Sequence, residues 1–164
     1  MDRRRWMMAG KEFELATGNL LMGRFTWLYI HVPEGWTVKI GDTPADVNYT
    51  AVVKDVGWVV DGSASYYVVN LINGDVLELD VRCRKGIKHT SFQVGSYEMT
   101  LINGHDAHIV SKTIKRGFRR HPMTQVTLRI PCTETSRTIE LVLTGKSSED
   151  IQEMKELFPR LRCH

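Results

Sequence analysis

The sequence lacks the features that mark a membrane protein or a nucleotide-dependent enzyme. No run reaches about 18 uncharged apolar residues, so a transmembrane helix is excluded. Neither glycine-rich phosphate loop occurs, and the G-x-S-x-G and H-E-x-x-H motifs are absent as well. The apolar stretch that follows the basic start is too short for a signal peptide. We therefore expect a cytoplasmic, non-enzymatic protein that needs no cofactor and does not insert into membranes.

Cysteine is scarce, with three residues at Cys83, Cys132 and Cys163. An odd number at wide spacing fits no secreted disulfide framework, and the absence of C-x-x-C argues against a zinc ribbon. The favoured interpretation is buried, inert thiols in a reducing compartment. A single structural disulfide remains an alternative, and a catalytic thiol has no local motif to support it.

The length and composition indicate one globular domain. The chain has 164 residues, of which 42% are hydrophobic and 25% are charged. That balance is typical of a folded protein, and the length matches a single domain spanning residues 1–164. Residues 1–10 are predicted to be a flexible N-terminal extension.

Most of the chain has the pattern of short strands. Alternating apolar residues and a high content of valine, tyrosine and threonine favour strands rather than helices. The stretch Arg24–Val32 is apolar on both faces, which predicts a central strand covered on both sides. The other predicted strands cover residues 50–60, 66–72, 124–131 and 137–144.

Two Asn-Gly pairs predict β-hairpins. Asn73-Gly74 and Asn103-Gly104 each follow a Leu-Ile pair and precede another strand-like run. Asn-Gly is favoured in tight hairpin turns because both central residues need positive φ. We therefore expect one hairpin at each position.

One clear helix is predicted near the end of the sequence, over residues 148–158. Ser147 or Ser148 can cap it, acidic residues follow in the first turn, and Pro159 should end it. Weaker helical candidates lie at residues 16–22 and 44–48. Successive strands, hairpin connections and one closing helix predict an α+β fold built on a largely antiparallel sheet.

Several short features resemble the PsbP-like group, which includes the photosystem PsbP subunits and the Mog-type Ran-binding proteins. They are the turn Val32-Pro33-Glu34-Gly35-Trp36, the segment Asn103–Ala107, the late strand Thr135–Leu141 and the terminal amphipathic helix. The resemblance implies an antiparallel sheet packed by the last helix. It also implies a non-catalytic accessory or binding role.

A short His-Asp-Ala-His segment is the metal candidate in the sequence. His105, Asp106 and His108 offer ligand atoms that zinc accepts, but a complete site needs further ligands. In a strand, His105 and His108 face opposite sides. The favoured interpretation is a polar hairpin shoulder, with metal binding as the alternative.

The modest net charge of +3 conceals an uneven distribution. Residues 34–61 hold five acidic and two basic residues, a net charge of −3, whereas residues 107–133 hold six basic residues and no acidic one. An aromatic residue, Phe118, lies among these cations. The predicted binding residues in this basic loop, 112–121, are Lys112, Lys115, Arg116, Phe118, Arg119 and Arg120.

These observations support three functional hypotheses. The first is an accessory or binding protein that acts through contacts with a protein partner. The second is binding of nucleic acid or another anionic ligand through the basic loop 112–121. The third is a metal-dependent enzyme. Exposed sheet edges also fit a homodimer.

Overall fold

The computed structural model describes residues 11–20, 23–41, 49–54, 57–87 and 98–164. Its main element is an eight-stranded antiparallel sheet with the strand order β3-β5-β6-β10-β9-β8-β7, in which β4 also pairs with β5. A separate two-stranded sheet is formed by β1 and β2. The strands are β1 Lys11–Leu20, β2 Gly23–Val32, β3 Trp36–Ile40, β4 Tyr49–Lys54, β5 Gly57–Asn70, β6 Val76–Lys85, β7 Glu98–Ile102, β8 His105–Arg116, β9 His121–Cys132 and β10 Arg137–Gly145.

The main sheet has one apolar and one polar face. Along β6, β9 and β10, alternate side chains are buried in one continuous core, as the period of two residues in a strand requires. The intervening side chains, such as Asp80, Arg129 and Glu140, lie on the opposite face, which we call the outer face. The predicted antiparallel sheet is therefore confirmed.

Both predicted hairpins are present, with different turns. Asn103 and Gly104 link β7 to β8 directly, with φ of 52° and 78°. Between β5 and β6 the connection is longer, because β5 ends at Asn70 and residues 71–75 form the turn. The prediction that a strand continues to residue 72 was therefore wrong. The Asn70 side-chain oxygen accepts the Ile72 N–H at 3.0 Å, which holds that residue in the turn.

The helix near the end of the sequence is α1, Ser148–Glu156. Ser147 caps it, since its side chain accepts the Asp150 N–H at 3.2 Å. Ile151 and Met154 are buried against the sheet. The helix ends at residue 156 rather than 158, and a single 3-10 turn, Phe158–Arg160, follows because Pro159 cannot continue the α-helical hydrogen bonds.

The β1–β2 hairpin corrects two predictions. Residues 16–20 form strand, not helix. β1 pairs with β2 on both sides of Ala16, whose N–H donates to the Tyr66 hydroxyl and whose φ of 54° a right-handed helix does not tolerate. Strand β2 was predicted to be central in a sheet. Within the described residues it instead pairs with β1 and otherwise makes one bridge, between Tyr29 and Arg162. Trp27 and Leu28 on β2 are nevertheless fully buried, because they belong to the common core.

Two predicted segments, residues 1–10 and the helical candidate 44–48, lie outside the described residues. Among the residues that the structure does describe, no helix is long and apolar enough to cross a membrane.

Candidate functional site

The predicted basic loop is the tip of the hairpin formed by β8 and β9. Residues 112–116 belong to β8, and only residues 117–120 form the turn. The turn is closed by the Arg120 N–H, which donates to the Gly117 carbonyl at 3.0 Å. Gly117 and Arg120 both have positive φ, at 85° and 53°. The segment is therefore an ordered β-turn on two paired strands.

Within the described residues, this hairpin continues past the last residue pairs that β7 and β10 contribute. In the described part of the chain, β7 accompanies β8 only as far as Ile109, and β10 accompanies β9 only to Thr124. Three residue pairs of β8 and β9 extend past that point: Ile114–Met123, Lys115–Pro122 and Arg116–His121. At about 3.4 Å per residue they carry the turn roughly 10 Å farther. We call residues 112–123 the basic ribbon.

The basic ribbon exposes an aromatic ring at its apex. Phe118 is 103% exposed, so its whole ring is in contact with solvent. Lys112, Lys115, Arg119 and Arg120 are also exposed, and none of them forms an ion pair within the described residues. Lys112 and Lys115 are three residues apart on one strand, so their side chains project from opposite faces of the ribbon.

Arg116 differs from the other cations because it forms an ion pair with Glu78 on β6. This contact reaches across the outer face of the sheet and links the last residue of β8, next to the turn, to β6. Burial raises the pKa of Asp80, the next outward side chain on β6, and the Glu78 charge raises it further, whereas Arg116 and Arg82 lower it. The outer face therefore carries charges of both signs, unlike the ribbon tip.

A cleft of about 230 Å³ lies on the outer face between β5, β6 and β10. The polar side chains around it include Ser63, Asp80, Arg82 and Glu140. Glu140 is held by Arg129, whose Nη2 lies 2.7 Å from the carboxylate. Acidic and basic groups thus compensate each other locally, so this cleft has less electrostatic attraction for an anion than the ribbon.

The structure places the two histidines of the predicted metal candidate on different faces of the sheet. His105 is buried on the core side of β8, Asp106 is exposed, and His108 is half-buried on the outer face. His105 faces Thr133, with 3.4 Å between its Nδ1 and the threonine Oγ1. The alternation of side chains along the strand thus keeps the two histidines on opposite faces of the sheet.

His105 instead lies beside residues that are distant in the sequence. Cys132, at the end of β9, and Cys163 form a disulfide with a Cα–Cα distance of 6.3 Å. Cys83 is buried and is not part of this disulfide. His164 packs edge-on against His105, with ring centroids 5.6 Å apart. The favoured interpretation of three buried thiols is therefore wrong for Cys132 and Cys163, which form the single disulfide given as the alternative, whereas Cys83 is buried as predicted.

The segment 161–164 is held in place by hydrogen bonds of its backbone to strand β2 and to the Asn103 side chain. The Tyr29 and Arg162 backbones exchange hydrogen bonds of 2.8 and 3.1 Å. The Cys163 N–H donates to the side-chain oxygen of Asn103 at 2.7 Å. Asn103 therefore has two roles: its backbone forms the hairpin turn, and its side chain positions Cys163.

Arg137 connects this segment to the two sheets. Its Nη2 donates to the carbonyl oxygens of Thr26, Trp27 and Cys163 at 3.0, 3.2 and 3.1 Å. The side chain is buried, and burial lowers the pKa of its guanidinium. One cation thus joins β10, the β1–β2 hairpin and the segment that carries Cys163.

Sequence reasoning did not single out the cluster of His105, Cys132, Cys163 and His164. The adjacent Cys163-His164 pair was a local signal of ligand-forming residues. Its proximity to Cys132 and His105 depends on long-range strand pairing, which one sequence does not reveal.

No family model matches the chain and no curated protein matches it. The chain is similar in fold to a protein from Bacteroides thetaiotaomicron VPI-5482, whose crystal structure was determined at 1.50 Å resolution. The TM-score is 0.55 and the sequence identity is 13%, over 96% of this chain and 49% of that protein. The chain thus spans about half the length of that neighbour, and the likeness concerns the fold alone. The PsbP-like resemblance stays a prediction.

Proposed function

We propose that this protein is a binding protein that holds duplex nucleic acid through the basic ribbon. The observation that carries the proposal is the fully exposed Phe118 at the apex of a two-stranded ribbon, whose two faces carry cations that form no ion pair with any described residue. A duplex groove admits a two-stranded β-ribbon, and cations on its two sides can reach the phosphates of both strands.

The apex ring supplies the second part of this interaction. Proteins that enter a duplex groove often insert an apolar side chain between base steps. An exposed phenylalanine has no stabilising role in the monomer, because it buries no surface there. Gly117 and the closing hydrogen bond of the turn hold Phe118 at the end of the ribbon, so little ordering of the loop is required on binding.

Fluorescence anisotropy with a labelled mixed-sequence DNA duplex tests the proposal. If the four ribbon cations other than Arg116, which pairs with Glu78, meet phosphates, the logarithm of affinity should fall with the logarithm of salt concentration with a slope of about −3.6. Arg119→Ala should make that slope smaller by about one. Phe118→Ala should weaken binding by roughly 5- to 150-fold, as expected for a stacking contact of 1–3 kcal/mol.

The matched control is Arg82→Ala, which removes an exposed arginine from the outer face of the same sheet. This variant should leave both affinity and salt slope unchanged. Absence of binding at low salt, or equal effects of Arg82→Ala and Arg119→Ala, would contradict the use of the ribbon.

A protein partner, our first hypothesis from the sequence, remains the second candidate. In the described part of the chain β7 pairs with β8 alone, and its Met99 and Leu101 are 56% and 62% exposed. An exposed strand edge with apolar side chains can accept a strand from another chain. Capture of a partner that survives nuclease treatment and does not depend on Arg119 would favour this candidate.

A further inference from the structure

Four potential metal ligands converge where β8 begins and β9 ends. The ligand atoms of His105, Cys132, Cys163 and His164 all lie within 4.8 Å of one another. Three of these residues are buried, and His164 is exposed. Two sulfurs and two imidazole nitrogens form the donor set of many structural zinc sites, which are tetrahedral and closed by protein ligands.

The buried side chain of His105 provides an independent observation, because one of its ring nitrogens has no hydrogen-bond partner within the described residues. His105 is 9% exposed, and its Nε2 has no hydrogen-bond partner within the described residues. A buried polar atom left without a partner costs about 1–3 kcal/mol. The other ring nitrogen, Nδ1, faces the Thr133 hydroxyl at 3.4 Å. Metal-bound histidines have this arrangement, in which one nitrogen binds the ion while the other is oriented by a hydrogen bond.

We propose that the reduced protein binds one Zn²⁺ ion through Cys132, Cys163, His105 Nε2 and His164. Thiolate and imidazole ligands select zinc over magnesium and calcium, which prefer oxygen. Because zinc holds tetrahedral sulfur ligands at about 2.3 Å, the two sulfurs would be roughly 3.8 Å apart. Metal binding and the disulfide are therefore alternative states of the same cysteine pair.

The ion would connect three segments that the backbone contacts already bring together. His105 begins β8, Cys132 ends β9, and Cys163 is held by Asn103 and Arg137. Most of the ordering needed for coordination is thus present before the metal arrives. This preorganisation favours tight binding, because little conformational entropy is lost when the ion binds.

The site can be tested by titrating the reduced 164-residue chain with Co²⁺ and then with Zn²⁺. Cobalt in a tetrahedral site with thiolate ligands gives visible d–d bands and a sulfur-to-metal charge-transfer band. We expect saturation at one Co²⁺ per chain, displacement by Zn²⁺ and no competition from Mg²⁺. Cys132→Ser, Cys163→Ser and His105→Ala should each lose stoichiometric binding.

The chain offers a matched control for each ligand type. Cys83→Ser removes the third buried cysteine, and His108→Gln removes the other histidine of β8. Both variants should retain the metal and the cobalt spectrum. Loss of binding in Cys83→Ser equal to that in Cys132→Ser would overturn the assignment.

The oxidised wild-type protein is a control that needs no substitution. Exchange with glutathione disulfide forms the Cys132–Cys163 bond and releases two glutathione thiols, so the two electrons lost by the cysteines reduce the reagent. This form should take up no cobalt. Equal uptake by the oxidised and reduced proteins would overturn the proposal, as would no uptake by a folded protein whose three thiols are shown to be reduced.

Discussion

Arg137→Met should remove a buried connection between the two sheets. The Arg137 guanidinium donates to three backbone carbonyls, two on β2 and one at Cys163. Methionine fills a similar volume but donates no hydrogen bond, so these carbonyls lose their charged donor. Each loss costs roughly 1–3 kcal/mol when the acceptor is buried.

The desolvation of the guanidinium offsets part of this cost. Burial lowers the pKa of Arg137, which shows that the charged form is poorly solvated, and the methionine variant no longer bears that penalty. We therefore expect a net loss of about 3–5 kcal/mol in the free energy of unfolding, which is less than the summed cost of the three unsatisfied carbonyls.

Urea denaturation followed by tryptophan fluorescence measures this loss, with the disulfide intact in both proteins. The control is Arg84→Met, which removes an exposed arginine from the neighbouring strand and should change stability by less than about 0.5 kcal/mol. A loss below about 1 kcal/mol for Arg137→Met would refute the view that these carbonyls depend on Arg137.

Two further substitutions test an ion pair on β1 and a close approach at the end of β10. Arg162 lowers the pKa of Glu12 by a side-chain hydrogen bond and by its charge, so the folded protein binds fewer protons than the unfolded chain near the ordinary value of 4.5. This contribution to stability is present above that pH and is lost as the pH falls through the pKa of Glu12 in the folded protein. The difference in Tm between wild type and Glu12→Gln should therefore vanish in acid. A difference that stays constant with pH would contradict the pairing. Gly145→Ala should cost about 1–3 kcal/mol in thermal unfolding, because the added methyl group overlaps the buried Leu77 side chain, and an unchanged Tm would contradict that close approach.

The parts of the fold that the sequence predicted are those set by local chemistry. Asn103-Gly104 adopts positive φ at both residues and forms the tight turn that this pair favours. Ser147 caps α1 as expected, and Pro159 lies just after it. In each case, neighbouring residues contain the cause of the structure.

The parts that were not predicted depend on distant partners. Residues 16–20 are strand because β2 pairs with them, whereas their composition alone suggested a weak helix. The cations of the basic ribbon were evident in the sequence, but its continuation past the described pairs of β7 and β10 depends on long-range strand pairing. The Cys132–Cys163 contact likewise spans 31 positions and is set by the pairing of Tyr29 with Arg162.

The bridge between Tyr29 and Arg162 has a consequence for synthesis of the chain in the cell. Contacts between residues so far apart in sequence form late, since a long loop must close before they stabilise anything. A ribosome adds about 5–20 residues per second, so residues 162 and 163 are synthesised many seconds after β2. During that time the apolar side chains of Trp27 and Leu28 lack the segment that completes their surroundings. Nascent chains that do not yet contain residues 162 and 163 should therefore be the species most dependent on chaperones.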